Sequence, residues 1–280
     1  MARPRIEFLQ SQHLPWDAAP VAAIRPGAAA RVLSRDADTG ACSLVVRYPA
    51  GWSQPAGQAL AVDEEFLILD GALEEAGGDR HGPFGFAHLP PGHVRGALSA
   101  PGGAVAVVFF SARPRLSDAA TPPPDPARLV TGLDGLRLPY TGNFHPEFPP
   151  GAGRRMLYED PETRDQTWLL GTLGLRWAER AERHPVVEEM FLIAGEVHGN
   201  LGVMRPGAYF WRPPHIAHGP YGSLTGNIYL FRTKGGPLST EYEDAPVPFH
   251  WWPEHAPVLP DDLAALDASA APVAGATRPW

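Results

Sequence analysis

Four side chains able to bind a metal lie in one short stretch, Arg176 to Gly219: Glu182, His184, Glu188 and His218. Glu182 and His184 are two residues apart, so on a strand they share a face. Pro185 then interrupts the ladder, because it has no N–H to give. After it, Glu188, Met190 and Leu192 alternate with Glu189, Phe191 and Ile193, a strand pattern apolar on both faces. A carboxylate at the head of such a strand is expensive to bury alone. A divalent cation held by Glu188 and two imidazoles removes that cost. Glu189 has the opposite parity and is expected to face outward or to pair across the strand.

This spacing resembles the first motif of the cupin superfamily, HxH, three or four residues, Glu, six residues, Gly. Here it reads Glu182-x-His184, three residues, Glu188, six residues, Gly195. The second motif places a His after a tight turn, here Pro213-Pro214-His215-Ile216-Ala217-His218. The Glu188-Glu189 pair and the Pro-Pro turn are most similar to the cupin domain of zinc-dependent anti-sigma factors. On that resemblance His218 is the ligand, and His215 stands where the family often has Gly. Glu182 replaces the family's first His.

The resemblance implies a ligand set of His184, Glu188 and His218. Two imidazoles and a carboxylate with open positions favour Fe(II), with Mn, Ni or Zn as other occupants. Glu182 is either a fourth ligand or a solvated acid at a strand edge. His215 is a candidate to act beside the metal or to line the pocket, with stabilisation of the turn as the alternative. Glu182 and His215 are therefore the candidate catalytic residues. Tyr209 and Trp211 are the candidate walls of a substrate pocket. Trp168 and Trp177 are expected in the core.

Three functions are compatible with this set. The first is a non-haem Fe(II) dioxygenase acting on a small organic molecule. The second is a metal-dependent isomerase or hydrolase with Glu182 as base. The third is a non-catalytic metal- or ligand-binding sensor.

The elements that must position these groups are short strands. Pro 33 and Gly 30 in 280 residues fit many strands joined by tight turns. The formal net charge is −8 without a Lys/Arg cluster, which makes nucleic acid and anionic membrane poor partners. The expected partner is a small-molecule substrate, and a homo-oligomer is compatible with the fold. The single Cys42 suits a reducing cytosol. The N-terminus lacks the apolar core of a signal peptide, and no apolar run approaches a membrane span, so a cytoplasmic protein is expected.

The strand rhythm occurs twice. Arg31, Leu33, Asp36 and Thr39 match Arg155, Leu157, Asp160 and Thr163, while Glu64, Glu65 and Gly71 match Glu188, Glu189 and Gly195. All seven pairs hold one offset of 124 residues, and Pro90-Pro91 matches Pro213-Pro214 at 123. Such a repeat predicts an all-β chain of two tandem cupin jelly-roll barrels. The expected division is 1–115 for a degenerate first barrel, 116–140 for a Pro-rich linker and 141–255 for the metal-binding barrel. A tail over 256–280 carries a short helix near Pro260–Leu266.

In the first copy, Gln58, Leu60, Glu64 and Arg95 stand where the second has Glu182, His184, Glu188 and His218. Both imidazoles are gone, so the first barrel is expected to hold no metal. His88 and His93 lie off the ligand register and are expected to be surface or structural. Glu64 still needs a countercharge, and Arg95 is expected to supply it, with Gln58 as a further donor.

Overall fold

The computed structural model describes residues 3–142, 150–270 and residue 280. The expected tail therefore lies partly outside the described residues, at 271–279. The described chain is almost entirely β, with one α-helix, Asp261–Ser269, near the expected position. No helix among the described residues is long and apolar enough to cross a membrane.

The chain divides into two compact units, one built on Pro15–Arg137 and one on Arg5–Leu14 together with the chain from Leu138 onward. This corrects the expected boundaries at two places. The strand Val130–Asp134, placed in the linker from its Pro-rich surroundings, pairs with Gly85–Leu89 and belongs to the first unit. The strand Ile6–Gln10, assigned by position to the first barrel, pairs with Ala208–Arg212 and belongs to the second. Sequence distance says nothing of pairing when a strand has no turn tying it to its partner.

Each unit is built on the same plan. The first has a six-stranded antiparallel sheet in the order Val130–Asp134, Gly85–Leu89, Glu64–Gly71, Ala104–Phe110, Cys42–Tyr48, Ala29–Arg35. The second repeats it as Ile6–Gln10, Ala208–Arg212, Val187–Ala194, Asn227–Lys234, Gln166–Thr172, Ala152–Glu159. A four-stranded sheet accompanies each, and the second unit adds a pair, Arg180–Arg183 with Glu241–Pro246.

The repeated residues have repeated causes. Asp36 Oδ1 accepts from the backbone N–H of Asp38 and Thr39, and Asp160 Oδ1 from Glu162 and Thr163, all at 2.9 Å. The same side-chain-capped turn thus joins Ala29–Arg35 to Cys42–Tyr48 and Ala152–Glu159 to Gln166–Thr172. Gly71 and Gly195 both have positive φ, and a Cβ at either would lie 2.1 Å from a neighbouring carbonyl, of Gly103 or of Gly226. Only glycine fits there.

Alternation fills each core from one face of the large sheet. Phe66 and Ile68 pack with Leu44, Val46, Ala106 and Val108 in the first unit. Met190 and Leu192 pack with Trp168, Leu170, Phe210 and Phe231 in the second. By parity this places Glu64 and Glu188 on the core side of their strands.

Candidate metal centre

Glu182 and His218 are held side by side by a mutual pair of backbone hydrogen bonds, N–H to carbonyl in both directions at 2.9 Å. His184 follows directly after the strand Arg180–Arg183, where Pro185 prevents the ladder from continuing. Its carbonyl accepts the His215 N–H at 2.7 Å, which ties the Pro-Pro turn to the head of the site. Glu188 enters from the next strand, opposite Arg212.

These elements bring the four groups together. The ligand atoms of Glu182, His184 and His218 all lie within 4.8 Å of one another. Glu188 Oε1 is 3.6 Å from His184 Nε2, and its Oε2 is 3.6 Å from His218 Nε2. Glu182 Oε1 is also 3.6 Å from His218 Nε2. None of these is a hydrogen bond.

Both imidazoles are buried, and both Nε2 atoms are without a hydrogen-bond partner. Their other nitrogens are fixed: His184 Nδ1 donates to the Ser239 carbonyl at 2.9 Å, and His218 Nδ1 to the Ile216 carbonyl at 2.8 Å. A ring that donates from Nδ1 presents a lone pair at Nε2. Two such lone pairs facing two carboxylates form a donor set suited to a divalent cation, and outer hydrogen bonds of this kind orient metal ligands. Burial alone would raise the Glu182 carboxyl, but His218, His184 and Arg212 outweigh it and hold it below the usual carboxylate range.

Glu188 has a partner that the sequence did not suggest. Arg212 Nη1 donates to Glu188 Oε2. The other edge of the same guanidinium donates to both oxygens of Glu7, at 2.8 and 2.7 Å, and Nη2 also reaches the Tyr221 hydroxyl at 2.9 Å. Arg212, Glu7 and Tyr221 were all missed as site residues. Only register could have revealed Arg212, because it needs the knowledge that Glu188 faces position 212 across the sheet.

That register corrects the expected pocket walls. Tyr209 and Trp211 lie opposite Phe191 and Glu189, on the other face of the sheet. The Tyr209 hydroxyl donates to Glu189 Oε1 at 2.6 Å, and Arg232 donates to Oε2 at 2.7 Å. Glu189 therefore pairs across the strands. The residues that line the cavity beside the four candidate ligands are Phe210 and Arg212, one position out of phase with the expectation.

His215 is also corrected. Its side chain is exposed and does not line the cavity; its part is the backbone tether to His184. Its φ is +64°, and Gly92, the matching position of the first unit, has φ +79°. The position requires a left-handed backbone, which is why the cupin pattern often has Gly there. Trp168 is buried as expected, whereas Trp177 is half exposed.

The cavity itself measures about 110 Å³. Trp168, Leu170, Met190, Phe210 and Phe231 form its apolar wall, and Arg176, Tyr229 and Tyr242 stand among its polar groups. Burial lowers the Arg176 guanidinium from its ordinary value, against Tyr229, Tyr242 and Glu182.

The first unit gives the matching position a different environment. Glu64 is 2 % exposed and receives Arg25 Nη2 on both oxygens, at 3.2 and 2.9 Å, as well as Arg95 Nη2 on Oε2. The expected Arg95 pair is present, and Arg25 is an addition. Gln58 is not among the donors to Glu64, which are Arg25 and Arg95; its Oε1 accepts from Gln54 instead. Burial would raise the Glu64 carboxyl, but Arg25 and Arg95 hold it below the usual range. His88 is buried and structural, with Nδ1 3.2 Å from Glu65.

No protein-family model and no curated protein matches the chain. Solved structures do. A protein from Nostoc punctiforme provisionally described as a dioxygenase superposes with a TM-score of 0.68, at 17 % identity over 83 % of this chain and 79 % of its own. A mutant of the oxalate decarboxylase of Bacillus subtilis gives 0.53 at 10 % identity, over 86 % and 79 %. The formate complex of Lactobacillus farciminis oxalate decarboxylase gives 0.53 at 10 %, over 86 % and 88 %.

The chain has the two-barrel cupin fold. Within this fold, the candidate ligands of the second barrel line the cavity of one jelly roll. The first barrel keeps the carboxylate and fills the ligand space with arginine.

Proposed function

We propose that this bicupin is a metal-dependent enzyme whose second barrel binds one divalent metal through His184, His218, Glu188 and Glu182. The observation that carries this is the pair of buried, unpartnered Nε2 atoms whose rings are locked by backbone carbonyls. Fe(II) is the first choice for two imidazoles with hard oxygen donors, and Mn, Ni and Zn follow. Mn(II) centres are named for the oxalate decarboxylase of Bacillus subtilis, which shares the fold.

The reaction we favour is a dioxygenation of a small organic molecule. When bound, a redox-active divalent metal would mediate the passage of electrons from the substrate to dioxygen. The protein's part is to exclude water and orient the substrate. The wall from Trp168 to Phe231 shields the cavity, and Tyr221 keeps its proton because burial raises its hydroxyl above the ordinary tyrosine value. The size of the cavity admits a molecule of a few heavy atoms to about one ring.

A second reading, a non-redox isomerase or hydrolase, rests on Glu182. Its side chain is the most exposed of the site's carboxylates, at 18 % against 7 % for Glu188, and it lines the cavity, so it is the one placed to take a proton from a substrate. The likeness to anti-sigma cupin domains is one of motif and carries no activity.

Oxygen uptake by the Fe(II)-loaded protein, with a panel of small carboxylic and phenolic substrates, distinguishes the two. Substrate-dependent uptake with Fe(II) and none with Zn(II) supports the dioxygenase. Turnover that persists without oxygen and with Zn(II) contradicts it and supports the second reading.

A further inference from the structure

Behind the candidate ligands lies a chain of buried charge that no ligand motif contains. Glu7 is fully buried in the strand Ile6–Gln10, and its carboxylate takes two hydrogen bonds from Arg212, 205 residues further along the chain. Arg212 is 1 % exposed and lies against the Phe210 ring, its guanidinium carbon 3.9 Å from the ring centroid. Its remaining edge donates to Glu188 Oε2, the oxygen that faces His218. Arg5, partly exposed, adds a contact to Glu7 Oε1 at 3.2 Å.

A guanidinium on a ligand carboxylate draws charge from it and holds one oxygen away from a cation. How strongly it does so depends on what holds its other edge. Here the bidentate pairing goes to Glu7, and Glu188 receives a single donor. Around the site, Glu7, Glu182 and Glu188 carry three negative charges against the buried Arg212 and the partly exposed Arg5, with the imidazoles neutral. Carboxylates thus outnumber guanidiniums, and the excess negative charge lies on the side of the two bare imidazole nitrogens.

Resting on the metal reading above, we propose that Glu7 is a positioning residue of the metal centre. It anchors Arg212 from behind, so that Glu188 stays available to the cation. The N-terminal strand is thereby part of the metal site, although Glu7 acts on the ligands only through Arg212.

The test is calorimetric titration of Mn(II) into the metal-free full-length chain, comparing wild type with Glu7→Gln and with Glu7→Asp. Glu7→Gln removes the charge and frees the Arg212 edge to turn on Glu188. Its Mn(II) affinity is expected to fall about 10- to 100-fold, the usual scale for a lost outer partner. Glu7→Asp keeps the charge but retracts it by one methylene, and a smaller fall is expected. Melting of the metal-free proteins is recorded in parallel, because a merely structural role lowers the melting temperature and leaves affinity unchanged. Wild-type affinity in either variant overturns the proposal, with Glu7→Asp deciding alone if Glu7→Gln does not fold. A wild-type protein that takes up no Mn(II), Fe(II) or Zn(II) overturns the metal reading itself, and this proposal with it.

Discussion

The two barrels place a glutamate at the same point, the head of the third repeated strand, and give it opposite company. Glu64 meets two guanidinium groups, from Arg25 and Arg95. Glu188 meets one guanidinium, two imidazoles with bare nitrogens, and a second carboxylate nearby in Glu182. One carboxylate against two guanidiniums leaves no deficit of positive charge, whereas in the second barrel the carboxylates Glu7, Glu182 and Glu188 outnumber Arg212 and Arg5, a deficit that the proposed cation would offset. On the reading proposed above, arginine in the first barrel stands where the second would hold its ion, and Glu64 is needed there because its removal would strand two buried cations. Arginine is suited to that substitution, because a planar fork meets both oxygens and remains charged when buried.

The comparison breaks first if Arg25 is not the main countercharge of the first barrel. Arg25→Met removes the partner that reaches both Glu64 oxygens, and a loss of roughly 3–5 kcal/mol is expected for a broken buried pair. Arg95→Met leaves those two bonds in place and should cost less, on the order of 1–3 kcal/mol. Urea unfolding of both variants checks the order. Equal losses, or losses within about 0.5 kcal/mol of wild type, would contradict it.

A smaller effect sharpens the same point through pH. Glu64 has its folded-state value lowered below the usual glutamate value of 4.5, with burial opposing and Arg25 and Arg95 prevailing. Its stabilisation is therefore complete above the unfolded value and is lost as pH falls through the lowered folded one. His88 works the other way. Burial lowers it, but Asp63 and Glu65 raise it above the usual 6.5, so its contribution is complete below that value and fades as pH rises through the raised one. Urea midpoints of wild type, Glu64→Gln and His88→Gln across about pH 3 to 9 should show the acid limb flattened in the first variant and the alkaline limb in the second. Unchanged limbs would refute the assignments.

Much of this was legible in the sequence, and the reasons are specific. The repeat was readable because the Asp36 and Asp160 turns and the Gly71 and Gly195 positions tolerate few residues. The convergence of Glu182, His184, Glu188 and His218 followed from strand parity and motif spacing. The Arg95–Glu64 pair followed from register within the repeat. What failed was everything that depends on pairing between strands distant in sequence. Tyr209 and Trp211 were placed on the wrong face because one residue of register flips every side chain. Glu7 and Arg25 come from segments outside the repeated pattern, so no matching position announced them. His215 looked chemical because it is a histidine, while its position asks for a backbone conformation.

The central claim is that the second barrel binds a divalent metal and the first does not. Its most direct test is the metal content per chain after loading with Fe(II) or Mn(II) and gel filtration, for wild type, His184→Ala, His218→Ala and Arg95→Ala. About one ion is expected in wild type and in Arg95→Ala, and close to none in either histidine variant, because two bare imidazoles define the site. Two ions per chain, or a full complement retained in both histidine variants, would contradict it.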